Sequence, residues 1–445
     1  MASVLLCSTP VHAHVTPLLA VVRSLVARGH DVRFLTGARF ADAVTAAGAQ
    51  HLPLPTEADF DDRDLAGHFP GREGRTGLDA IRYDMLQIFV GPGVAQHRAV
   101  LAALAASPAD AVLVEPLFLG ATALAATPAD RRPPLVALGI FPLGLTSDHT
   151  APFGLGILPA SGRAGVWRNR LLQRVVERSL APAQDAVDHL VQAAGERPLD
   201  GFFLSWPAHA DAIVQLTVEE FEYPRPDVTT PVHYVGPPAA SRASSSLLTT
   251  AGGPGAPALP AWWGDLDGSR PVVHVTQGTV ANEDPGQLLL PTIRGLADDD
   301  VLVVAATGGR PVDALGTLPA NARVAEYLPY DALLPLTSVY VTNGGYGGVH
   351  HALRHGVPIV VAGKTEDKAE VAARVAWSGA GVRLRTNEPR PAQVRRAVRR
   401  VLDEPGYARA STRLGERIAA SPGTDGVVDV VEQLSSTTAQ PTRRT

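Results

Sequence analysis

Residues 343–348 read Asn-Gly-Gly-Tyr-Gly-Gly, and four glycines in six residues can sustain neither a strand nor a helix interior. An apolar strand pattern ending at Val341-Thr342 leads into this run. A helix-compatible stretch, 349–354, follows it and is stopped by Gly356-Val357-Pro358, after which 359–362 is again a buried-strand pattern. Strand, glycine loop, helix start and strand leave free backbone amides that can hold a phosphate. Taken alone, the same pattern also fits a tight turn between a strand and a helix.

The amino-terminal end follows a related logic. Residues 3–7 form an apolar strand, 8–16 a loop containing Pro10, His12 and His14, and 17–27 a helix. Thr16 suits the N-cap and Pro17 the first helical position, where its missing amide costs nothing. Gly29 ends the helix. With a strand at 32–35 this is a βαβ opening, which predicts a parallel sheet with helices on both faces. The loop after the first strand then faces the crevice at the strands' carboxyl ends, where such sheets bind ligands.

Further strands are expected at 111–116, 136–140, 202–206 and 213–216, with helices over 78–104 and 165–194, whereas the region after 51 starts polar and irregular. A second opening has a strand at 272–275, a loop at 276–279, a helix at 287–296 and a strand at 301–305. The fold class is therefore α/β, and 445 residues exceed one typical domain. The expected divisions are 1–238, a Ser-, Gly- and Pro-rich linker at 239–261, a second domain at 262–424, a helix at 425–434 and a disordered tail at 435–445.

A formal net charge of −5 gives no basic surface for nucleic acid, and the arginines between 383 and 400 read as a solvated helix face. Cys7 is the single cysteine, which excludes internal disulfides and cysteine-based zinc sites. No unbroken apolar run of eighteen residues predicts a membrane span, and Met-Ala-Ser-Val-Leu-Leu-Cys lacks the positive region of a signal peptide. A cytoplasmic protein is the expectation. No Gly-x-Gly-x-x-Gly follows the first strand of either half, which argues against a nicotinamide or flavin enzyme. Asp298-Asp299-Asp300 lies at a helix–strand junction and reads as a polar turn, so no metal site is expected.

The order and spacing of these pieces, over nearly the whole chain, resemble the two-domain, inverting, nucleotide-sugar-dependent glycosyltransferases of natural-product metabolism. Macrolide, UDP-glucosyl and rhamnosyl transferases are of this type. That family has a His-Cys/Gly-Gly-x-x-Ser/Thr loop, then Glu, Gly-Val-Pro and Asp-Gln. Here the corresponding residues are the 343–348 loop, His351, Gly356-Val357-Pro358 and Asp367-Lys368, with Asn343, His351 and Lys368 replacing the family's His, Glu and Gln. The resemblance implies a glycosyltransferase-B fold of two facing Rossmann-like domains, the first binding acceptor and the second binding nucleotide sugar. It also implies metal-independent transfer of a hexose from a dTDP- or UDP-sugar to a hydroxyl of a small, largely apolar acceptor. The sugar nucleotide is then a substrate, no cofactor is needed, and the protein is a monomer or homodimer.

Site residues follow from the same resemblance. His14, in Ala13-His14-Val15-Thr16-Pro17, matches the family's Gly-His-x-x-Pro general base, a task suited to an imidazole of pKa about 6.5. Glu115 stands where the family has the aspartate that orients this base, or else it is a capping carboxylate. His12, Phe141 and Phe153 fall on the acceptor side, the last within an apolar, Gly- and Pro-rich segment at 144–160. Thr276, Gln277, Gly278 and Thr279 match the loop that contacts the donor's diphosphate or sugar. Tyr327 backs the base or simply packs. Asn343, Gly345, Gly347, Gly348 and Val349 form the phosphate loop, with the amides of 347–349 meeting the diphosphate. His351 reads the ribose or lies on the helix surface.

Asp367 and Lys368 meet the transferred sugar, unless Lys368 pairs with Glu366 or Glu370. Lysine only donates hydrogen bonds, whereas glutamine also accepts them, which favours a deoxysugar or other non-glucose donor. Two other readings remain open: an epimerase or hydrolase of the same fold, and a non-catalytic partner protein.

Overall fold

The computed structural model describes residues 1–160, 162–238, 259–278 and 284–438, with Thr437 and Thr438 described by backbone alone. The first sheet contains β1 Ser3–Cys7, β2 Asp31–Thr36, β3 Gln50–Pro53, β4 Ala111–Val114, β5 Leu135–Gly139, β6 Ala212–Gln215 and β7 Val232–Tyr234. The second contains β8 Val272–Thr276, β9 Leu302–Ala306, β10 Ala322–Ala325, β11 Val339–Thr342, β12 Ile359–Ala362 and β13 Gly381–Leu384. Strand orders are β3-β2-β1-β4-β5-β6-β7 and β10-β9-β8-β11-β12-β13. All pairings between neighbours are parallel. Each sheet reverses its winding direction beside its first strand, β1 or β8, and the loops there open into the crevice such sheets use.

Parallel sheets need both faces buried, and β1 shows how the sequence achieves this. Val4 and Leu6 enter one core while Leu5 and Cys7 enter the other, each fully buried. The helix His12–Ala27 covers the first face with Val15, Leu18, Leu19, Val22 and Leu25. The final helix, Thr424–Thr438, adds Val427, Val428, Val430 and Val431 to that same core, worth roughly 1.5–3 kcal/mol for each fully buried side chain. Ser24 and Thr424 share a 2.7 Å hydroxyl hydrogen bond at this contact.

Several sequence expectations need correction. The first helix starts at His12, not at Pro17: the amides of His14 and Val15 both bond the Val11 carbonyl at 2.9 Å, and Asp62 accepts from His12 N at 2.7 Å. Pro17 therefore lies inside the helix. Residues 203–209 form a 3-10 helix instead of a strand; Trp206 packs inward and its indole N–H donates to the Pro116 carbonyl at 2.8 Å. Short apolar runs do not separate a strand from a buried helical turn.

The last helix extends through Thr438, so 435–438 are helical where the sequence suggested a disordered tail. Positions 439–445, like linker residues 239–258, lie outside the described residues. A continuous helical run, Gly77–Ala106, is long and apolar enough to cross a membrane by length and composition alone, contrary to the expectation that no segment would be. Polar residues such as Gln96, His97 and Arg98 broke the apolar pattern in the sequence, and the N-terminal core takes in Val90, Val100 and Ala103 from this run.

Candidate active site

Because Cys7 of β1 is in register with Val114 of β4, the residue after β4 meets the loop after β1. That residue is Glu115, which is completely buried. Its Oε1 accepts from Thr9 N at 3.1 Å and its Oε2 from Leu117 N at 2.7 Å. His14 Nδ1 stands 3.2 Å from Oε1, at an angle poorer than that of a good hydrogen bond. Burial pushes the Glu115 pKa up, but His14 and the backbone donors outweigh it and hold the carboxyl below its ordinary value. Burial likewise pushes His14 down, and the Glu115 charge, helped by Asp367 and Asp62, raises it above its ordinary value. Such a pair can take up a proton on imidazole and stabilise the resulting cation.

Aromatic rings surround this imidazole. Phe89 stacks nearly parallel to it, with centroids 6.0 Å apart, and Phe141 lies 6.1 Å away. Phe153 continues the wall 5.8 Å beyond Phe141. The sequence pointed to Phe141 and Phe153 but not to Phe89. Phe89 lies in Asp84–Val90, a helical segment widened to π geometry, and helical spacing carries no signal for that. His12 faces elsewhere: its Nε2 is 3.4 Å from Thr16 Oγ1, and burial, then Arg39, lowers its pKa against the pull of Asp62.

At the end of β11, Gly344 has φ +98°, a conformation that favours glycine, and Gly345 is the N-cap of the helix Tyr346–Arg354. The helix therefore starts three residues earlier than the sequence suggested. Val349 N bonds the Gly345 carbonyl at 3.0 Å and the Val349 side chain is fully buried, so its amide is already used. The free amides of the first turn belong to Tyr346, Gly347 and Gly348. A Cβ on Gly347 would meet nothing within 4 Å, while one on Gly348 would lie 2.9 Å from Tyr340 Oη.

The neighbouring polar side chains are committed to the loops themselves. Asn343 Nδ2 donates to the Gln277 carbonyl at 2.6 Å. The Gln277 side chain accepts from Leu288 N at 3.2 Å and Leu289 N at 3.1 Å, and donates to the Asp284 carbonyl at 2.9 Å. Gln277 thus offers a ligand only its backbone. Thr276 Oγ1 accepts from Gly278 N at 3.1 Å, and Thr279 lies outside the described residues. Tyr327 is exposed, its hydroxyl over Gly309. His351 Nε2 is 2.8 Å from Asp331 Oδ1, and its ring packs against Tyr330.

Between the two sheets, Asp367 stands at the N-cap position of the helix Lys368–Trp377, its side chain making no capping hydrogen bond. Burial lifts its pKa to about 6, Glu366 adds to the rise, and Lys368 and His14 oppose it. Lys368 Nζ pairs with Glu366 at 2.7 Å. A contact the sequence gave no sign of lies beside them. Arg374, fully buried, donates to Glu222 at 2.8 and 2.9 Å and to Glu370 at 2.8 Å. Glu370 also accepts from Gly154 N at 3.0 Å and Gly156 N at 2.8 Å, tying the apolar 144–160 segment to the second sheet's helix. His350 makes another crossing, its Nε2 2.6 Å from Thr217 Oγ1.

Residues 291–434 match the family model described as Erythromycin biosynthesis protein CIII-like, C-terminal domain. Over 437 residues the chain is 42% identical to 4'-demethylrebeccamycin synthase of Lentzea aerocolonigenes, spanning 97% of this chain and 99% of that one. It is 33% identical to UDP-glycosyltransferase 2 of Phaeomoniella chlamydospora over 456 residues, 97% of this chain and 96% of the other. Among solved structures it resembles the calicheamicin glycosyltransferase CalG4, with a TM-score of 0.72, 24% identity and coverage of 99% and 100%. The spinosyn rhamnosyltransferase SpnG gives a TM-score of 0.64 at 20% identity, covering 97% of this chain and 100% of that one.

Proposed function

Since the chain belongs to the nucleotide-sugar-dependent glycosyltransferases of natural-product biosynthesis, we propose that it transfers a sugar, with inversion and without a metal, from a UDP- or dTDP-sugar to a hydroxyl of a small apolar acceptor. Its two parallel sheets have the glycosyltransferase-B fold. The observation that carries the proposal is the buried His14–Glu115 pair, 3.2 Å apart and faced by Phe89 and Phe141. Relatives named as UDP-glycosyltransferase and UDP-glucosyltransferase, 33% and 32% identical, support a uridine donor.

With Nδ1 turned to Glu115, Nε2 of His14 is left to accept the acceptor's hydroxyl proton. The oxygen attacks the anomeric carbon from the face opposite the diphosphate, and the sugar–phosphate bond breaks. The imidazolium that forms is stabilised by the Glu115 carboxylate. Charge gathering on the departing diphosphate meets the amides of Tyr346, Gly347 and Gly348 and the positive end of their helix. The apolar rings keep water from competing for the anomeric carbon.

The test is a thermal-shift screen of UDP-, dTDP- and GDP-sugars, followed by product analysis with apolar alcohols. A donor that binds the native state raises the melting temperature by mass action. Absence of binding by every nucleotide would favour a non-catalytic partner, and free sugar formed without acceptor would favour a hydrolase.

A further inference from the structure

The chemical step of the proposed transfer does not involve one group of imidazole and carboxylate side chains beside the donor loop. His351 and His355 lie four residues apart along the helix Tyr346–Arg354 and its C-cap, and the short helix Tyr330–Leu333 supplies Asp331. His351 Nε2 lies 2.8 Å and His355 Nε2 3.9 Å from the same oxygen, Asp331 Oδ1. All three ligand atoms fall within 4.8 Å of one another. His355 Nε2 is buried and has no hydrogen-bond partner, 3.9 Å being too long for one. Ligands at about 2.0–2.1 Å from a tetrahedral zinc lie roughly 3.3 Å apart, so side-chain shifts of about 1 Å close the set.

We propose that Asp331, His351 and His355 form a site for a divalent transition metal that prefers imidazole, zinc above all, and that metal bound there competes with the donor nucleotide. Two nitrogens and one carboxylate oxygen suit zinc and leave a fourth position for water. Competition rests on the reading of His351 as the ribose-facing residue: a metal on its Nε2 removes that atom from the nucleotide.

The experiment uses the untagged full chain after chelator treatment. Co²⁺ is titrated with no nucleotide present, following visible absorption, and Zn²⁺ is titrated by calorimetry. One metal per chain is expected, with about 10-fold or greater loss of affinity in His355→Ala, His355→Gln and Asp331→Asn. The glutamine variant keeps a polar side chain of similar reach should the alanine variant fold poorly. No binding, or equal binding in wild type and all three folded variants, overturns the site. UDP affinity is then measured with and without saturating Zn²⁺. A drop confined to wild type supports competition, and unchanged UDP affinity overturns it. A chain that binds zinc as described but never binds UDP places the failure in the transferase reading, because the metal arm uses no nucleotide.

Discussion

The loops after β1 and β11 occupy comparable places at the carboxyl ends of their sheets, yet they are built from opposite materials. The first carries a titratable pair, His14 and Glu115, in which a fully buried carboxylate is held by two backbone amides. The second has one ionisable side chain between Asn343 and Gly348, the Tyr346 phenol, which burial holds well above its ordinary pKa, and what the loop offers is backbone amides at a helix start. Proton transfer needs a group that changes charge, and a buried charge is tolerable only when paired. Holding an anion needs fixed dipoles, which cost no reorganisation and do not titrate. The two loops should therefore fail in different ways when altered.

The largest effect is expected at the first loop. His14→Ala should lower turnover by roughly 10²–10⁴-fold while nucleotide affinity stays unchanged. Steady-state rates with an apolar alcohol, alongside calorimetric titration of UDP, check both halves. Wild-type turnover would break the asymmetry, and the same loss in His12→Ala alone would move the base to the other ring.

The second loop should show the reverse pattern. A side chain at position 348 meets Tyr340 Oη, since even a Cβ would lie 2.9 Å away. Gly348→Val displaces the first helical turn and costs charge-assisted hydrogen bonds, for a loss of about 10- to 100-fold in UDP affinity. The pH profile of any remaining activity should keep its midpoint, because nothing in this loop titrates near neutral pH. A folded variant with unchanged UDP affinity would rule the amides out as the phosphate site.

How much of this was legible in the sequence depended on range. The βαβ periodicity located β1, β2, β8 and β11, and with them both loops, because central parallel strands are near-continuous apolar runs. The edge strands β3, Gln-His-Leu-Pro, and β7, Val-His-Tyr, are too polar and short for that pattern. The sequence singled out His14 by its place before a helix and its match to the family motif, though the helix in fact contains it. Val349 was misjudged because glycines read as loop, whereas Gly347 and Gly348 are already helical. Arg374 and Glu222 are 152 residues apart, and no local pattern links a buried arginine to a distant carboxylate.

Removing the charge but not the shape of the first loop's carboxylate gives a smaller effect. His14 acts as a base only when neutral, and Glu115 raises its pKa, so the acid limb of kcat/KM should lie above the ordinary histidine value. In Glu115→Gln burial dominates, and the limb should move to lower pH by about one unit or more, with a lower plateau. An unmoved limb would mean that Glu115 only caps its loop.

Lys368 should have the smallest effect, and it sharpens the comparison because it lies where the two halves meet. Its partner is Glu366, a side chain 62% exposed, at 2.7 Å. An ion pair with one end in solvent contributes about 0–1 kcal/mol, at most roughly a fivefold factor in any constant. With its ammonium held by Glu366, Lys368 should not read a sugar hydroxyl. Lys368→Gln is then expected to change the ratio of kcat/KM for a deoxysugar donor over its glucose counterpart by less than about threefold. Its charge does act on Asp367, whose pKa of about 6 would be higher without it. Asp367 accepts sugar hydroxyls best as a carboxylate, so donor KM should rise as pH falls through about 6, and in the variant this rise should begin at higher pH. Donor KM from pH 5 to 8 in both proteins decides the matter. A large shift of the sugar ratio toward glucose would return Lys368 to the sugar and restore the preference for a deoxysugar donor. A KM profile that does not move would separate Asp367 from the sugar altogether.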